Sequence, residues 1–303
     1  MYTYTIIIPH KNTPELLRRC LNSIPFREDI QIVVVDDHSD CNMVDFKKFP
    51  GYDRKNVEIY FTKEGRGAGY VRNIGLNKAK GKWILFADSD DFFNSNFLNA
   101  IDKYKDNDDE IIYFLATSVE SKSLMKSTRH LYLVKTREKY YKKLRYNKIR
   151  AKDQLVYKNW EVWAKMFNRS FIEKNNLAFN EEKMGEDALF VIRSGELSKN
   201  YSVDNFTIYC ITYREDSLCF KLDTVNDFDD MFMAKIRINN YLKQVNKEKF
   251  TLDLDKDLLL SYKYGGVDKM NEIFKIVKKN GNKLSFKTYI KYYLKILYNS
   301  KIK

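Results

Sequence analysis

The sequence predicts an α/β fold, in which a mostly parallel central sheet is flanked by helices and followed by a helical C-terminal extension. Two observations lead to this fold class. Short runs of apolar, mostly β-branched residues alternate with helix-like segments over residues 4–116, which is the pattern of βαβ units. The runs are apolar at successive positions, as expected for strands that are buried on both faces of a parallel sheet.

The individual elements follow from these patterns in chain order. Apolar runs predict strands at 4–8, 30–35, 57–61, 83–87 and 110–116. Segments with helical character connect or follow these strands, at 14–24, 68–79, 97–104 and 188–192. We expect one α/β domain at 1–215, divided into halves at 1–116 and 117–215, and a basic helical extension at 216–303.

The composition excludes several classes of protein. An apolar share of 44%, with 22 Tyr and 20 Phe, excludes a disordered chain. No run of about 18 apolar residues is present, so no transmembrane helix is expected. The first residues lack the features of a signal peptide, and the four cysteines have neither CxxC spacing nor the density of a disulfide scaffold. These features predict a cytoplasmic protein with reduced thiols.

Positive charge is concentrated in the second part of the chain. Residues 1–110 contain 16 Lys and Arg against 18 Asp and Glu, whereas residues 111–303 contain 38 against 23. Eight Lys or Arg lie within 137–152, and three lysines recur at helical spacing in an amphipathic segment around 289–298. This distribution favours polyanionic partners, whether phosphates, nucleic acid or an anionic membrane surface. The terminal segment is compatible with lying on such a membrane, docking on the α/β domain, or pairing with a second subunit.

Polar residues follow three of the predicted strands, at the sheet edge where ligands bind in parallel sheets. Pro9 and His10 follow the first strand, Asp36 and Asp37 the second, and the run Asp88-Ser89-Asp90-Asp91 the fourth. Crowded carboxylates repel one another unless a cation shares the space, and oxygen ligands of this kind suit Mg²⁺ or Mn²⁺. The alternative for the acidic run is a solvated turn that caps the next helix.

Four motifs lie within the first 95 residues. They are TIIIP from Thr5, IVVVDDHS from Ile32, GAGYVRNIGL from Gly67 and GKWILFADSDD from Gly81. In this order and at this spacing they resemble the family 2 glycosyltransferases, which implies a GT-A fold and inverting transfer of a sugar from a nucleotide-activated donor. Two further stretches, at 161–169 and 185–190, resemble the acceptor-side segments of bacterial members that build surface polysaccharides.

The resemblance implies that residues 1–116 bind a nucleotide sugar. Pro9 and His10 would line the pocket for the base, although the family often has a small or hydroxylic residue where this chain has His10. Asp37 would accept a hydrogen bond from the uracil ring N–H, which favours a UDP sugar. Arg72 would lie near the base or the diphosphate, where a fixed cationic donor is useful.

The same resemblance assigns the acidic run to the donor sugar and its metal. Asp88 would reach the ribose or the sugar, and Ser89 belongs to the same donor-binding set. Asp90 would bind a Mn²⁺ or Mg²⁺ ion that bridges the diphosphate oxygens.

The acceptor side is implied to lie within 117–215. Asp187 would be the general base that takes the proton of the acceptor hydroxyl, and Glu186 would position the acceptor, whereas helix capping would explain this pair without chemistry. Trp163 would offer an indole face to a sugar, and Lys165 a charge to a phosphate or hydroxyl. The alternatives are a core tryptophan and a surface lysine.

These expectations combine into a metal-dependent, inverting glycosyltransferase that moves a sugar, with UDP as the favoured carrier, to a glycan or lipid-diphosphate-linked acceptor in bacterial surface polysaccharide synthesis. Two alternatives are a nucleotidyltransferase that acts on sugar phosphates and a basic nucleic-acid-binding protein. The second does not explain the acidic residues at successive strand ends, so no nucleic-acid partner is expected. Peripheral association with the inner face of the plasma membrane is a hypothesis.

Overall fold

The computed structural model describes residues 1–127, 148–182, 184–214 and 223–300, together with positions 135, 138, 139 and 142. Half of the basic run at 137–152 and the predicted boundary at 215/216 therefore lie outside the described residues. Two compact units are present, Met1–Glu182 with Glu186–Ser217, and Lys183–Gly185 with Leu218–Lys303.

The first unit is built on one eight-stranded sheet. Its strands in chain order are β1 (Tyr4–His10), β2 (Ile30–Asp36), β3 (Val57–Phe61), β4 (Trp83–Phe86), β5 (Phe92–Phe93), β6 (Ile111–Glu120), β7 (Lys165–Asn168) and β8 (Tyr201–Tyr213). The spatial order is β3-β2-β1-β4-β7-β6-β8-β5. The first four strands are parallel to one another, and β6 is parallel to β8.

The α/β class and the flanking helices are confirmed, but the sheet is mixed rather than mostly parallel. Strand β7 lies between β4 and β6 and is antiparallel to both, and β5 is antiparallel to β8. Neither β5, β7 nor β8 was predicted. The parallel description therefore holds for the β1–β4 part of the sheet. Beyond it, the β6–β8 pair is parallel, whereas the β4–β7, β6–β7 and β5–β8 pairs are antiparallel.

Helices cover both faces of this sheet. They are α1 (Pro14–Asn22), α2 (Ala68–Lys78), α3 (Phe97–Asp102), α4 (Lys148–Lys158), α5 (Arg169–Lys174) and α6 (Glu186–Leu197). Ile6 of β1 packs in one apolar core with Leu17 of α1, whereas Ile7 packs in another with Phe86 of β4 and Phe190 of α6. Because alternate residues of a strand point to opposite faces, consecutive apolar residues of one strand fill both cores.

The second unit contains three α-helices in its described part, α7 (Val225–Gln244), α8 (Asp255–Lys279) and α9 (Phe286–Ser300). Its separate core includes Phe228, Leu258, Met270 and Tyr292. Helix α8 is interrupted near Gly266, which has a φ of +61°, a value that glycine adopts without a steric penalty. Among the described residues, no helix is long and apolar enough to span a membrane.

Candidate active site

A buried hydrogen-bond network links the ends of β1 and β2. The Thr13 backbone N–H donates to His10 Nε2 at 3.2 Å, so Nδ1 carries the proton and donates to Asp36 Oδ2 at 2.8 Å. Burial raises the pKa of Asp36, but hydrogen bonds from His10 and Ser39 outweigh this effect and lower it. Both His10 nitrogens are bonded within the protein, so His10, next to the half-buried Pro9, joins the loop after β1 to the end of β2.

Asp37 holds the loop that precedes α2. Its carboxylate accepts hydrogen bonds from the backbone N–H of Arg66 at 2.8 Å and of Gly67 at 3.1 Å. Lys11 Nζ adds a bond at 3.1 Å. Gly67 has a φ of +93°, in the region that favours glycine. Asp37 therefore lies at a strand end beside the start of α2, and its role at the base of a donor stays a prediction.

Asp90 is held by three residues that were not predicted as site residues. Arg214, the residue after β8, donates to Asp90 Oδ2 from Nη2 at 3.0 Å and from Nε at 3.1 Å. Arg19 of α1 donates to the Asp90 carbonyl oxygen at 2.5 Å, and Thr212 Oγ1 does so at 2.6 Å. These partners come from distant parts of the chain, so only the folded structure brings them to the acidic run.

Two carboxyls of the acidic run, those of Asp90 and Asp91, have raised pKa values because they are buried close to other carboxylates. Burial and the charge of Asp88 raise the pKa of Asp90, and Arg214 opposes them. For Asp91, which is 3% exposed, burial and the neighbouring charges raise the pKa well above its usual range. A cation next to these groups would remove their repulsion.

A divalent cation suits the chemistry of this sheet edge. Asp88, Ser89 and Asp90 offer the hard oxygen atoms that Mg²⁺ and Mn²⁺ prefer. Within the described ranges, no group of three or more His, Cys, Asp or Glu side chains forms a ready ligand set. Mg²⁺ typically takes one or two protein carboxylates and completes its shell with water and substrate phosphates, so Asp90 fits as a ligand of an ion that binds together with a diphosphate.

Arg72 of α2 joins the acidic run to Glu186, which belongs to the predicted pair Glu186 and Asp187. Its Nη2 donates to Asp88 Oδ1 at 2.8 Å, and its Nη1 donates to Glu186 Oε1 at 2.7 Å. Burial alone would lower the pKa of the Arg72 guanidinium, but these carboxylates raise it, so the group stays charged. Residues 114 positions apart in sequence thus share one buried ion-pair cluster.

The start of α2 also contacts residues 179 and 180. A Cβ atom on Gly69 would lie 1.9 Å from the carbonyl oxygen of Asn180, so only glycine allows this approach. One turn later, the Asn73 side chain accepts from the Phe179 N–H at 2.8 Å and donates to the Phe179 carbonyl at 3.0 Å. Asn73 was not predicted as a functional residue, although it follows Arg72 directly.

Asp187 lies in the first turn of α6, beside Glu186, and is half-buried. Burial raises the pKa of its carboxyl to about 7; the charges of Glu186 and Asp88 add to the increase, and Arg72 opposes it. A carboxyl with a pKa near neutrality can be ionised at physiological pH and still accept a proton, as a general base must. The structure thus brings Asp187 into the electrostatic field of the acidic run.

Trp163 and Lys165 are both buried. Trp163 is 7% exposed and stacks on Tyr209, with the ring centroids 5.5 Å apart. Lys165 is 1% exposed, its Nζ donates to the Glu161 carbonyl oxygen, and it lies 5.8 Å from the Tyr113 ring centroid. The alternative of a surface lysine is wrong, because Lys165 begins the interior strand β7.

The sequence was compared with models of protein families. The model for Glycosyl transferase family 2 matches residues 5–171, which is more than half of the chain. The protein belongs to glycosyl transferase family 2. The matched range contains Arg72 and the acidic run, and Glu186 and Asp187 follow it.

This glycosyltransferase is similar to bacterial enzymes of the same kind. It is 27% identical over 275 residues to the poly(ribitol-phosphate) beta-N-acetylglucosaminyltransferase TarP of Staphylococcus aureus strain N315, a match that covers 87% of this chain and 78% of TarP. Two further curated relatives are longer proteins, and the chain spans 31% and 59% of their lengths.

Solved structures show the same fold. S. aureus TarS 1–349 in complex with UDP-GlcNAc matches with a TM-score of 0.63 and 19% identity, over 91% of this chain and 81% of that chain. The mannosyltransferase PcManGT of Pyrobaculum calidifontis, in complex with GDP-Man and Mn²⁺, matches with a TM-score of 0.52 and 15% identity, over 96% and 79%. The predicted GT-A-like α/β fold is therefore confirmed for this glycosyltransferase.

Proposed function

We propose that the protein catalyses the metal-dependent, inverting transfer of a sugar from a UDP sugar to a hydroxyl group of a bacterial surface glycopolymer or its lipid-diphosphate-linked precursor. The observation that carries this proposal is the double ion pair of Arg72. One guanidinium is bonded at 2.8 Å to Asp88 of the donor side and at 2.7 Å to Glu186 of the acceptor side, next to Asp187.

On the donor side, Asp37 is proposed to accept the uracil N–H, in a pocket shaped by Pro9 and His10. The fold similarity to TarS, whose structure contains UDP-GlcNAc, supports a UDP sugar as donor. Asp88 and Ser89 are assigned to the donor sugar and Asp90 to the metal. A bound Mn²⁺ or Mg²⁺ ion would neutralise the charge that develops on the leaving diphosphate.

On the acceptor side, Asp187 is proposed to take the proton of the attacking hydroxyl. The acceptor oxygen then bonds to the anomeric carbon while the nucleoside diphosphate leaves from the opposite face, which inverts the configuration. Glu186, fixed by Arg72, positions Asp187 and the acceptor. Because Trp163 and Lys165 are buried, we assign them a supporting role beneath the acceptor.

The charge distribution supports an anionic acceptor. Residues 111–303 contain 38 Lys and Arg against 23 Asp and Glu, and such an excess attracts polyanions. The name of TarP specifies poly(ribitol-phosphate), a polymer with both phosphates and hydroxyl groups. A polyol-phosphate chain is therefore the first acceptor to test.

The decisive experiment follows UDP release from a panel of UDP sugars with Mn²⁺, with and without a poly(ribitol-phosphate) acceptor. Acceptor-stimulated UDP release is expected for one donor, and Asp187→Asn should lower it by about 10²–10⁴-fold. Asp106→Asn, at an exposed position in a turn, is the matched control and should leave the rate unchanged. Release of pyrophosphate from a nucleoside triphosphate and a sugar phosphate, without UDP release, would overturn the proposal.

A further inference from the structure

Helix α9 presents a continuous apolar stripe to solvent. Phe286, Ile290, Tyr293, Leu294 and Leu297 are 80%, 45%, 53%, 59% and 57% exposed. Their spacing of three and four residues places them on one face of the helix. An exposed apolar patch of this kind marks an interaction surface, and we call these five residues the α9 stripe.

The α9 stripe is distinct from the face that packs inside the second unit. Thr288 and Tyr292 are buried, Tyr292 stacks on Phe274 of α8 with the centroids 4.3 Å apart, and its hydroxyl donates to Asn271 Oδ1 at 2.6 Å. The helix is therefore anchored by one face. Substitutions in the α9 stripe change a surface and leave this core intact.

Lysines border the α9 stripe on both sides. Lys287 and Lys291 are exposed along one edge of the α9 stripe. On the other side, Lys278 of α8 and Tyr289 line a groove to which the residues of the α9 stripe also contribute. Residues 273–303 contain nine lysines and no acidic residue. Lysine side chains can lie along an apolar surface while the ammonium group reaches an anionic layer beside it.

This combination of charge and apolarity selects the partner. A second copy of the chain would bring two lysine-rich borders together, and like charges at an interface are unfavourable. The surface of an anionic bilayer offers an apolar interior for the stripe and phosphates for the lysines. We propose that α9 binds the headgroup region of an anionic phospholipid bilayer, with the α9 stripe turned toward the acyl chains.

The test is flotation of the full-length protein with lipid vesicles. The protein should float with vesicles of phosphatidylcholine and phosphatidylglycerol, should stay at the bottom with phosphatidylcholine alone, and should float less as salt is raised, because salt screens the lysines. Failure to float with the anionic vesicles, or equal binding to neutral ones, would overturn the proposal.

Two double variants separate the contribution of the apolar stripe from that of the lysines beside it. Ile290→Ser with Leu294→Ser removes part of the apolar stripe, and Lys287→Glu with Lys291→Glu reverses the charge along its border. Each double variant should lower the partition constant between water and anionic vesicles about tenfold or more. The matched controls are Phe26→Ser with Tyr52→Ser, and Lys47→Glu with Lys48→Glu, at exposed positions of the first unit. These controls should bind like the wild type, and circular dichroism should show that all variants are folded.

Self-association is examined in the same series. Light scattering without lipid measures the mass of the wild type and of the Ile290→Ser, Leu294→Ser variant. If the wild type is an oligomer that this variant dissociates, and neither floats with anionic vesicles, the α9 stripe is an interface between copies and the membrane proposal is wrong.

Discussion

At the scale of single residues, Arg72 balances the charge of the site. Its guanidinium is 5% exposed and is bonded to Asp88 and Glu186, and the field of Asp187 also acts on it. A lysine would not reproduce this geometry, because the two bonds come from separate nitrogen atoms of the planar guanidinium, whereas an ammonium group has a single nitrogen. The site therefore depends on this side chain for its geometry as well as for its charge.

We predict that Arg72→Met lowers the free energy of unfolding by about 3 kcal/mol, because it leaves two partly buried carboxylates without their counterion. Denaturation by urea, with and without Glu186→Gln, measures this effect. The second substitution should recover part of the loss, since it removes one uncompensated charge. Arg18→Met is the control, because the pair of Arg18 with Glu15 is exposed and is worth less than about 1 kcal/mol. Equal losses for the two Met variants would contradict this account of Arg72.

The pH dependence of activity tests the role of Asp187. Its pKa of about 7 predicts that kcat/KM falls as the pH drops through 7, because the protonated carboxyl cannot accept a proton. Glu186→Gln should shift this limb to lower pH, since the charge of Glu186 helps to raise the pKa of Asp187, whereas the charge of Arg72, which remains, lowers it. Profiles of kcat/KM against pH, with Asp106→Asn as control, measure the shift. An unmoved limb in Glu186→Gln would exclude Asp187 as the group that titrates.

At the scale of elements, α2 connects the two halves of the site. Gly69, Arg72 and Asn73 lie within two turns of this helix. They contact Asn180 by close approach, Glu186 by an ion pair and Phe179 by a hydrogen bond, respectively. A shift of this helix would therefore move Asp88 and Glu186, the carboxylates that we propose for the donor and acceptor sides, relative to each other.

Gly69→Ala tests this coupling. Alanine has the higher helix propensity, by about 1 kcal/mol, but its Cβ would lie 1.9 Å from the Asn180 carbonyl oxygen, so the segment must shift. We expect kcat to fall at least about tenfold, because small misplacements of catalytic groups are costly. Asn77→Ala, at an exposed position of the same helix, gains propensity without a new contact and should keep its activity. Full activity of Gly69→Ala would show that this approach is not needed.

The β1–β4 part of the sheet could be predicted because its strands are apolar runs; β2 is buried at every position. Strand β8 was missed because Asp204 interrupts its apolar pattern, and only the fold shows that Lys103 and Tyr104 satisfy this buried carboxylate at 2.6 and 2.7 Å. Strand β7 has only four residues, too few to show an alternation. Its insertion between β4 and β6 makes the sheet mixed.

In the candidate site, too, some residues could be predicted from the sequence and others could not. Asp37, Arg72, Asp90 and Asp187 stand in motifs whose spacing resembles a family, so their roles could be proposed from the sequence. Arg19, Asn73 and Arg214 act through contacts across 71 to 124 sequence positions, and a single sequence gives no local signal for such contacts. The run of mostly aromatic and β-branched residues at 206–213, directly before Arg214, was the available clue.

At the scale of the whole molecule, the proposed reaction requires that one set of carboxylates binds the donor with its metal and that another deprotonates the acceptor. These two functions are separable, although their residues share one ion-pair cluster. A variant of the general base should therefore bind the donor nucleotide normally, whereas a variant of the metal ligand should not.

Calorimetric titration of UDP with Mn²⁺, together with the rate of sugar transfer, tests this requirement most directly. We predict that Asp187→Asn keeps the UDP affinity of the wild type while its transfer rate falls by about 10²–10⁴-fold, and that Asp90→Asn weakens UDP binding in the presence of Mn²⁺ by at least about tenfold. An Asp187→Asn variant that still transfers sugar at the wild-type rate, or an Asp90→Asn variant with unchanged Mn²⁺-dependent affinity, would contradict the account.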